Sequence, residues 1–365
     1  MIRRLALGTS LMVALAPPAA AQFEAARIDS LVEARRILHG VSGIAIAIVH
    51  PMAVLHEGGF GTARDGTTPI TPLTTFTIPA YSGPITGTLA FRLIDRGVLS
   101  LDTPVHASLS AFALADSAAS RQITPRQLLL HRSGIPAGPS PVGAPPPARL
   151  DDAVTALRGA RPASAPGTDY SYAEANYHVL ARLLEVVSGA EYPALVQSEI
   201  RTPLLLAPPA TVAAPGTLHF SASELGRFIR AHLNLGALGD TTLLSTTSVV
   251  EMTSFDSGAR HAAGWGWRTI PGRNAIGYSA VLEESQVEIV MLTSDGIGLV
   301  LLANGMRADQ RRGMQQLAED VARMSVGEEP SPSLRSSRGT LLVALSAAVA
   351  ITAAIVAARR RRQVA

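Results

Sequence analysis

The chain contains neither cysteine nor lysine. Without cysteine it can form no disulfide, no thiolate nucleophile and no cysteine metal site. All 31 basic residues are arginines, and a guanidinium with a pKa above about 12 cannot act as a general base. The nine histidines show no metal-ligand spacing, and H-E-x-x-H is absent. A full G-x-S-x-G elbow is also missing, because "GYSAV" lacks the last glycine. No internal repeat is found. These absences leave no metal or cofactor to expect, and they remove every amine-based catalyst.

The basic balance of the whole chain, a formal net charge of +3, comes from its two ends. The start, "MIRRLALGTSLMVALAPPAAAQ", has two arginines, an apolar run and small residues ending in Ala19-Ala20-Ala21. It reads as a secretory signal over residues 1–21, cut before Gln22, rather than a retained amphipathic helix. Near the other end, residues 339–358 are uncharged and apolar. At ~1.5 Å per residue such a run spans a hydrocarbon layer of roughly 30 Å. The arginines at 359–362 then place the tail, 359–365, in the cytoplasm of a bacterial cell, with the main domain exported. Setting aside Arg3, Arg4 and those four leaves 25 basic against 28 acidic residues. The exported body is mildly acidic, so no nucleic-acid partner is expected.

Between the ends, residues 22–327 read as one domain and 328–338, "EEPSPSLRSSR", as a linker. Residues 23–38 carry apolar positions at helical spacing. "GIAIAIVH" and "AVLHEGGFG", split by Pro-Met, read as a β-hairpin, and "VEIVMLTSDGIGLVLLANG" as two strands around Asp295-Gly296. "MRADQRRGMQQLAEDVARM" returns to helix. The terminal elements therefore share one sheet. The middle is mostly helical, with "ITPRQLLLH", "DDAVTALRG", "NYHVLARLLEVVSG" and "SASELGRFIRAHLNLG" as helices and the Pro-rich "IPAGPSPVGAPPPARL" as a loop.

Five blocks occur together in one order. "GGFGTARDGTTPITPLTTFTI" leads into "AFRLIDRGVLSLDTPV". "ITPRQLLLHRSGIP" and "YSYAEANYHVLARLLEVVSG" follow, and "GWGW" with "GLVLLANG" closes the series. Together they resemble the serine β-lactamase and penicillin-binding-protein superfamily, in its class C-like, esterase and D-peptidase branch. The resemblance implies an α/β (α+β) β-lactamase/transpeptidase-like fold. It has an antiparallel sheet flanked by terminal helices, a mostly helical subdomain and, here, a C-terminal transmembrane helix.

The family's chemistry uses three constellations. A serine and a lysine stand at i and i+3 on a helix N-terminus. A Y-x-N pair lines the cleft, and a strand motif, H-x-G or K-T-G, lies beside the oxyanion hole. Counted back from "RGVLSLD", the serine position is Ala80 and the lysine position Gly83. The second motif keeps Tyr172 but puts Glu174 for asparagine. The third becomes Tyr278-Ser279-Ala280. All three are broken while the framework persists.

Ser82 is the nearest other serine. Followed by Gly83 and Pro84, it reads as a helix N-cap, and two helical positions turn it about 200° from the nucleophile's direction. His131 is expected to hold a loop by hydrogen bonding. Trp265 and Trp267 in "GWGW" alternate as on a strand, which puts one in the core and the other facing the cleft, with core the safer reading for both. Tyr172, Glu174 and Tyr278 are the candidate ligand contacts. The reading favoured is a membrane-anchored homologue that has lost acyl transfer and binds a cell-wall fragment, a small molecule or a protein partner. The alternative is a residual esterase- or peptidase-like hydrolase using Ser82 with Tyr172.

Overall fold

The apolar run Gly43–His50 forms strand β1, buried on both faces. A turn at Pro51 and Met52 returns it as β2, Ala53–Gly61. The computed structural model describes residues 19–138, 146–211, 213–254 and 261–331. The remaining strands are β3 (Thr75–Pro79), β4 (Thr217–Ser221), β5 (Ala237–Leu238), β6 (Thr241–Thr242), β7 (Gly266–Ile270), β8 (Arg273–Leu282), β9 (Ser285–Leu292) and β10 (Ile297–Asn304). Six of them make one antiparallel sheet in the order β2-β1-β10-β9-β8-β7. β1 thus lies directly against β10, with Ile46 opposite Leu301. The expectation that the terminal elements share a sheet holds, and so do both hairpins.

The α-helices are α1 (Ala19–His39), α2 (Gly83–Asp95), α3 (Ser117–Ser120), α4 (Pro125–Leu129), α5 (Leu150–Thr155), α6 (Ala175–Ser188), α7 (Tyr192–Val196), α8 (Ala222–Leu233), α9 (Thr246–Thr253) and α10 (Arg311–Met324). Period-2 alternation sorts the sheet's side chains into two cores. Ile44, Ile46, Ile48, Val290, Leu299 and Leu301 face α1 and α10. Ala45, Ala47, Val49, Ile289, Val300 and Leu302 face the helical half. There α8 approaches closely, because a Cβ on Gly226 would already lie 3.2 Å from that of Ala47. Capping boxes start α4 (Thr124 with Gln127) and α8 (Ser221 with Glu224). Gly189 at φ 73° ends α6.

Two readings change. The helix expected from Met306 begins later: α10 starts at Arg311, after a 3₁₀ turn at Ala308–Gln310. Trp265 is fully buried beside His232, whereas Trp267, on edge strand β7, is 51% exposed. The chain divides into Met1–Gly327 and Glu328–Ala365. No helix among the described residues is long and apolar enough to cross a membrane. The run at 339–358 and residues 1–18 of the expected signal segment lie outside the described residues, while residues 19–21 are helical within α1.

Candidate functional site

β3 runs into α2 through Ala80, Tyr81 and Ser82. Ala80 is buried, and both its backbone groups are used. Its N–H donates to the Gly216 carbonyl (2.9 Å), and its carbonyl accepts from the Tyr192 hydroxyl (2.9 Å). The position matched to the nucleophile therefore offers a methyl group in a well-fixed backbone. Ser82 is the N-cap residue, extended at φ −66° and ψ 147°, with proline in the first turn. Its hydroxyl, however, makes no capping bond. Pro84 at the second helical position has no N–H to give, which removes one of the two usual donors. Ser82 is only 3% exposed, and no hydrogen bond joins it to Tyr172 among the described residues.

Gly83, the position matched to the lysine, is closed by backbone. A Cβ placed on it would sit 2.6 Å from the Gly264 carbonyl oxygen and 3.1 Å from the Gly264 Cα. Gly264, at φ +95°, would in turn drive a Cβ into the Gly83 carbonyl. One turn on, a Cβ at Gly87 would meet the Ala263 carbonyl at 2.8 Å. The segment Ala263-Gly264 thus lies flat along the start of α2, and only glycines permit that approach.

Facing this helix is a cluster of rings. His131, at φ 55°, accepts through Nδ1 from the Ala173 N–H (3.4 Å) and lies 3.2 Å from the Asn176 side-chain nitrogen. Ser133 donates to the Asn176 oxygen. His131 does hold the loop before α6. The rings of Tyr172, Tyr177 and His261 surround it, at 4.6, 5.2 and 4.9 Å between centroids. The Tyr170 hydroxyl reaches Nδ1 of His261 at 3.3 Å. Tyr172 is 52% exposed. Loss of solvent on its phenol side, reinforced by the Glu174 charge and opposed by Arg311, pushes its pKa up to about 12. At neutral pH it is protonated and a poor base.

Glu174 is the N-cap residue of α6, but its carboxylate does not cap the helix. It has no ion pair among the described residues, and desolvation raises its pKa. Tyr278 lies on the inner face of β8 opposite Ile289. Burial raises its phenol pKa, with Tyr172 and Glu174 the next influences, so the three candidate contacts are electrostatic neighbours. Ala280 shares that face, partly buried against the core. Ser279 points to the other side of the sheet. There it donates to the buried Glu288, which also holds Arg268 (2.7 Å) and Gln286, while Gln315 of α10 donates to Ser279 (3.0 Å). Ser279 belongs to the packing of α10, not to the cleft.

Of the positions singled out in the sequence, the structure brings Tyr172, Glu174 and Tyr278 near one another, while Ala80 and Gly83 lie at the entry to α2. The sequence missed Gly264, which seals the lysine position, and His261, whose segment carried no pattern. A family model described as Beta-lactamase matches residues 28–323. The chain belongs to the beta-lactamase family. Penicillin-binding protein 4 of Amycolatopsis lactamdurans is 29% identical over 334 residues, covering 75% of this chain and 86% of that protein. Protein flp of Staphylococcus aureus (strain N315) is 26% identical over 181 residues, 49% of this chain and 36% of that protein. Among solved structures, EstCE1, a hydrolase with promiscuous acyltransferase activity, superposes with a TM-score of 0.70 at 19% identity. It matches 83% of this chain and 99% of its own. The octameric penicillin-binding protein homologue from Pyrococcus abyssi gives 0.67 at 20% identity, over 84% and 78%. At these identities the structures establish the fold alone.

This beta-lactamase-family domain also desolvates four histidines, His131 and His232 buried and His178 and His261 half-buried. Desolvation takes His131 to about 3 and His178, His232 and His261 to about 4. Because these folded-state values lie below the ordinary ~6.5, the unfolded chain protonates first on acidification. Their contribution is complete above about pH 6.5 and is lost as pH falls toward 4, by ~1.4 kcal/mol per pH unit for each histidine. The urea midpoint should therefore fall steadily across that window. In His232→Gln the slope should shrink by about one proton; an unchanged slope would show that His232 is not buried neutral.

Proposed function

We propose that this beta-lactamase-family domain binds a ligand at the cleft between α2, the start of α6 and β8, and performs no acyl transfer there. The observation that carries the reading is the contact of Gly83 with the Gly264 backbone, which leaves no room for any side chain at the lysine position. A protonated Tyr172 and a nearly inaccessible Ser82 support it. General-base assistance is worth ~10² to 10⁴ in rate, and among the described residues no group near α2 is placed to supply it. The ligand would be a cell-wall fragment, another small molecule or a protein segment. Its contacting group is neutral or cationic, received by the faces of Tyr172 and Tyr278 and by Glu174.

Fluorescent penicillin and fluorophosphonate probes should give no covalent labelling of the purified protein. Labelling that disappears in Ser82→Ala would replace this reading with the serine hydrolase that uses Ser82 and Tyr172.

The cellular setting belongs to the same proposal. The leader at 1–21 and the apolar run at 339–358 would export the domain and anchor it by a single span, with the arginine tail in the cytoplasm. Protease added to spheroplasts should digest the domain and spare a C-terminal tag. A protected domain would contradict this topology.

A further inference from the structure

A groove of about 770 Å³ opens beside Ala80 and Tyr81, and its described lining residues include none of the ring cluster around His131. It runs between α6, α7, β4 and the segments at 148–151, 209–211 and 213–216. Its inner end is apolar, formed by Ala80, Tyr81, Leu218 and the edges of Tyr192 and Phe220. Tyr81 is fixed there edge-on to Tyr192 (5.1 Å) and His178 (5.5 Å). The volume is that of a site for a drug-sized molecule.

The charges at its mouth decide what it can take. Arg182 is committed to Asp151 (2.7 Å) and Glu185 (2.9 Å), and Arg149 lies 3.5 Å from Asp151. Arg201 is buried, spending its donors on the Ala207 and His219 carbonyls and on Glu224. The other Glu185 oxygen accepts the Tyr192 N–H that opens α7 (2.9 Å). Arg182 and Arg201 are thus spent within the fold, and the exposed Arg149 is offset by its contact with Asp151. Glu191, at the exposed start of α7, has no ion pair among the described residues and no capping bond from its side chain. The groove therefore combines an apolar end with one unmatched negative charge at its mouth.

We propose that this groove binds a molecule with an apolar acyl or aryl body and a single amine cation. The body lies against Tyr81 and Leu218, and the ammonium group lies at Glu191. The site does not depend on the reading of the tyrosine-lined cleft, since its charges and walls are separate from Tyr172, Glu174 and Tyr278.

Two dansyl probes with the same fluorophore and opposite ends test it: dansylcadaverine, an amine, and dansylglycine, a carboxylate. Dansylcadaverine should bind with blue-shifted, enhanced emission, and dansylglycine more weakly. Glu191→Gln should bring the two affinities together by about fivefold, the range of an exposed ion pair. Ala194→Trp, at an exposed groove residue, should abolish binding of both with the circular dichroism unchanged. Binding of neither probe by the wild type, or undiminished binding by Ala194→Trp, would overturn the proposal. So would an amine preference unaltered in Glu191→Gln. Loss of binding in Glu174→Asn with Ala194→Trp unaffected would place the amine at the tyrosine-lined cleft instead, and would also overturn it.

Discussion

Restoring the family's serine and lysine, as Ala80→Ser/Gly83→Lys, is expected to leave the protein unlabelled by fluorescent penicillin and to destabilise it by about 3 kcal/mol or more. The loss arises at Gly83, where the very first side-chain atom meets a carbonyl oxygen at 2.6 Å. The obstacle is backbone, not the flexible end of a side chain, so relief requires the segment at 261–265 to move. That segment is anchored by the buried Trp265, by the Ala262 N–H on the Trp265 carbonyl (2.8 Å) and by the bridge from His261 to Gly266. Ala80→Ser alone adds one hydroxyl at a buried position and supplies no base, so it should cost little and restore nothing. Urea unfolding and gel fluorescence of the single and double variants measure both effects. A double variant that is labelled at wild-type stability would show that Gly264 yields readily, and that the cleft needs only its two missing side chains.

The second large effect concerns which peptide end the cleft accepts. Stem peptides ending in a free carboxylate should bind the wild type at least fivefold more weakly than the same peptides amidated. Two like charges 4 Å apart cost roughly 1 kcal/mol in water and more in a drier site, and 1 kcal/mol is about a factor of five. Arg311 acts in the opposite sense, but for the Tyr172 phenol its influence ranks behind that of Glu174. In Glu174→Asn the difference between the two peptides should collapse. Because desolvation raises the Glu174 pKa, the discrimination should also fade on acidification, as the carboxyl takes up its proton. Isothermal titration at two pH values checks all of this. Tighter wild-type binding of the free carboxylate would refute the charge argument. Binding of neither peptide would indicate a filled cleft that serves as a scaffold.

What the sequence disclosed follows from the range of the interactions involved. β1 and β10 are almost wholly apolar over eight residues and β9 ends in the apolar run Ile289–Leu292, so their burial was written locally, and the Asp295-Gly296 turn fixed the second hairpin. The family framework placed Ala80, Gly83, Tyr172, Glu174 and Tyr278 because fixed spacings on α2, α6 and β8 carry those positions. The contact of Gly83 with Gly264 joins residues 181 positions apart, and no local pattern encodes it. A missing lysine was visible in the sequence; the backbone lying in its place was not. Ser82 illustrates a subtler limit. Its place at the helix start was legible, but whether its hydroxyl finds a donor depends on the geometry that Pro84 imposes. Trp265 precedes β7 and packs beside His232 of α8, whereas Trp267 stands on the edge strand itself, and no local pattern separates the two.

The pairing of β1 with β10 governs the order in which this domain can assemble. Ile46 meets Leu301 across 255 intervening steps of chain, so the first strand synthesised has no central partner until almost the whole domain is available. Loop closure over such a length must precede most of the sheet's hydrophobic gain, which makes folding slow. Until then β1 presents a flat apolar edge, the kind of segment that recruits other chains. A chain interrupted before residue 297 would leave both β1 and β9 with an open edge in the middle of the sheet. Such fragments should accumulate as aggregates rather than as a smaller folded domain.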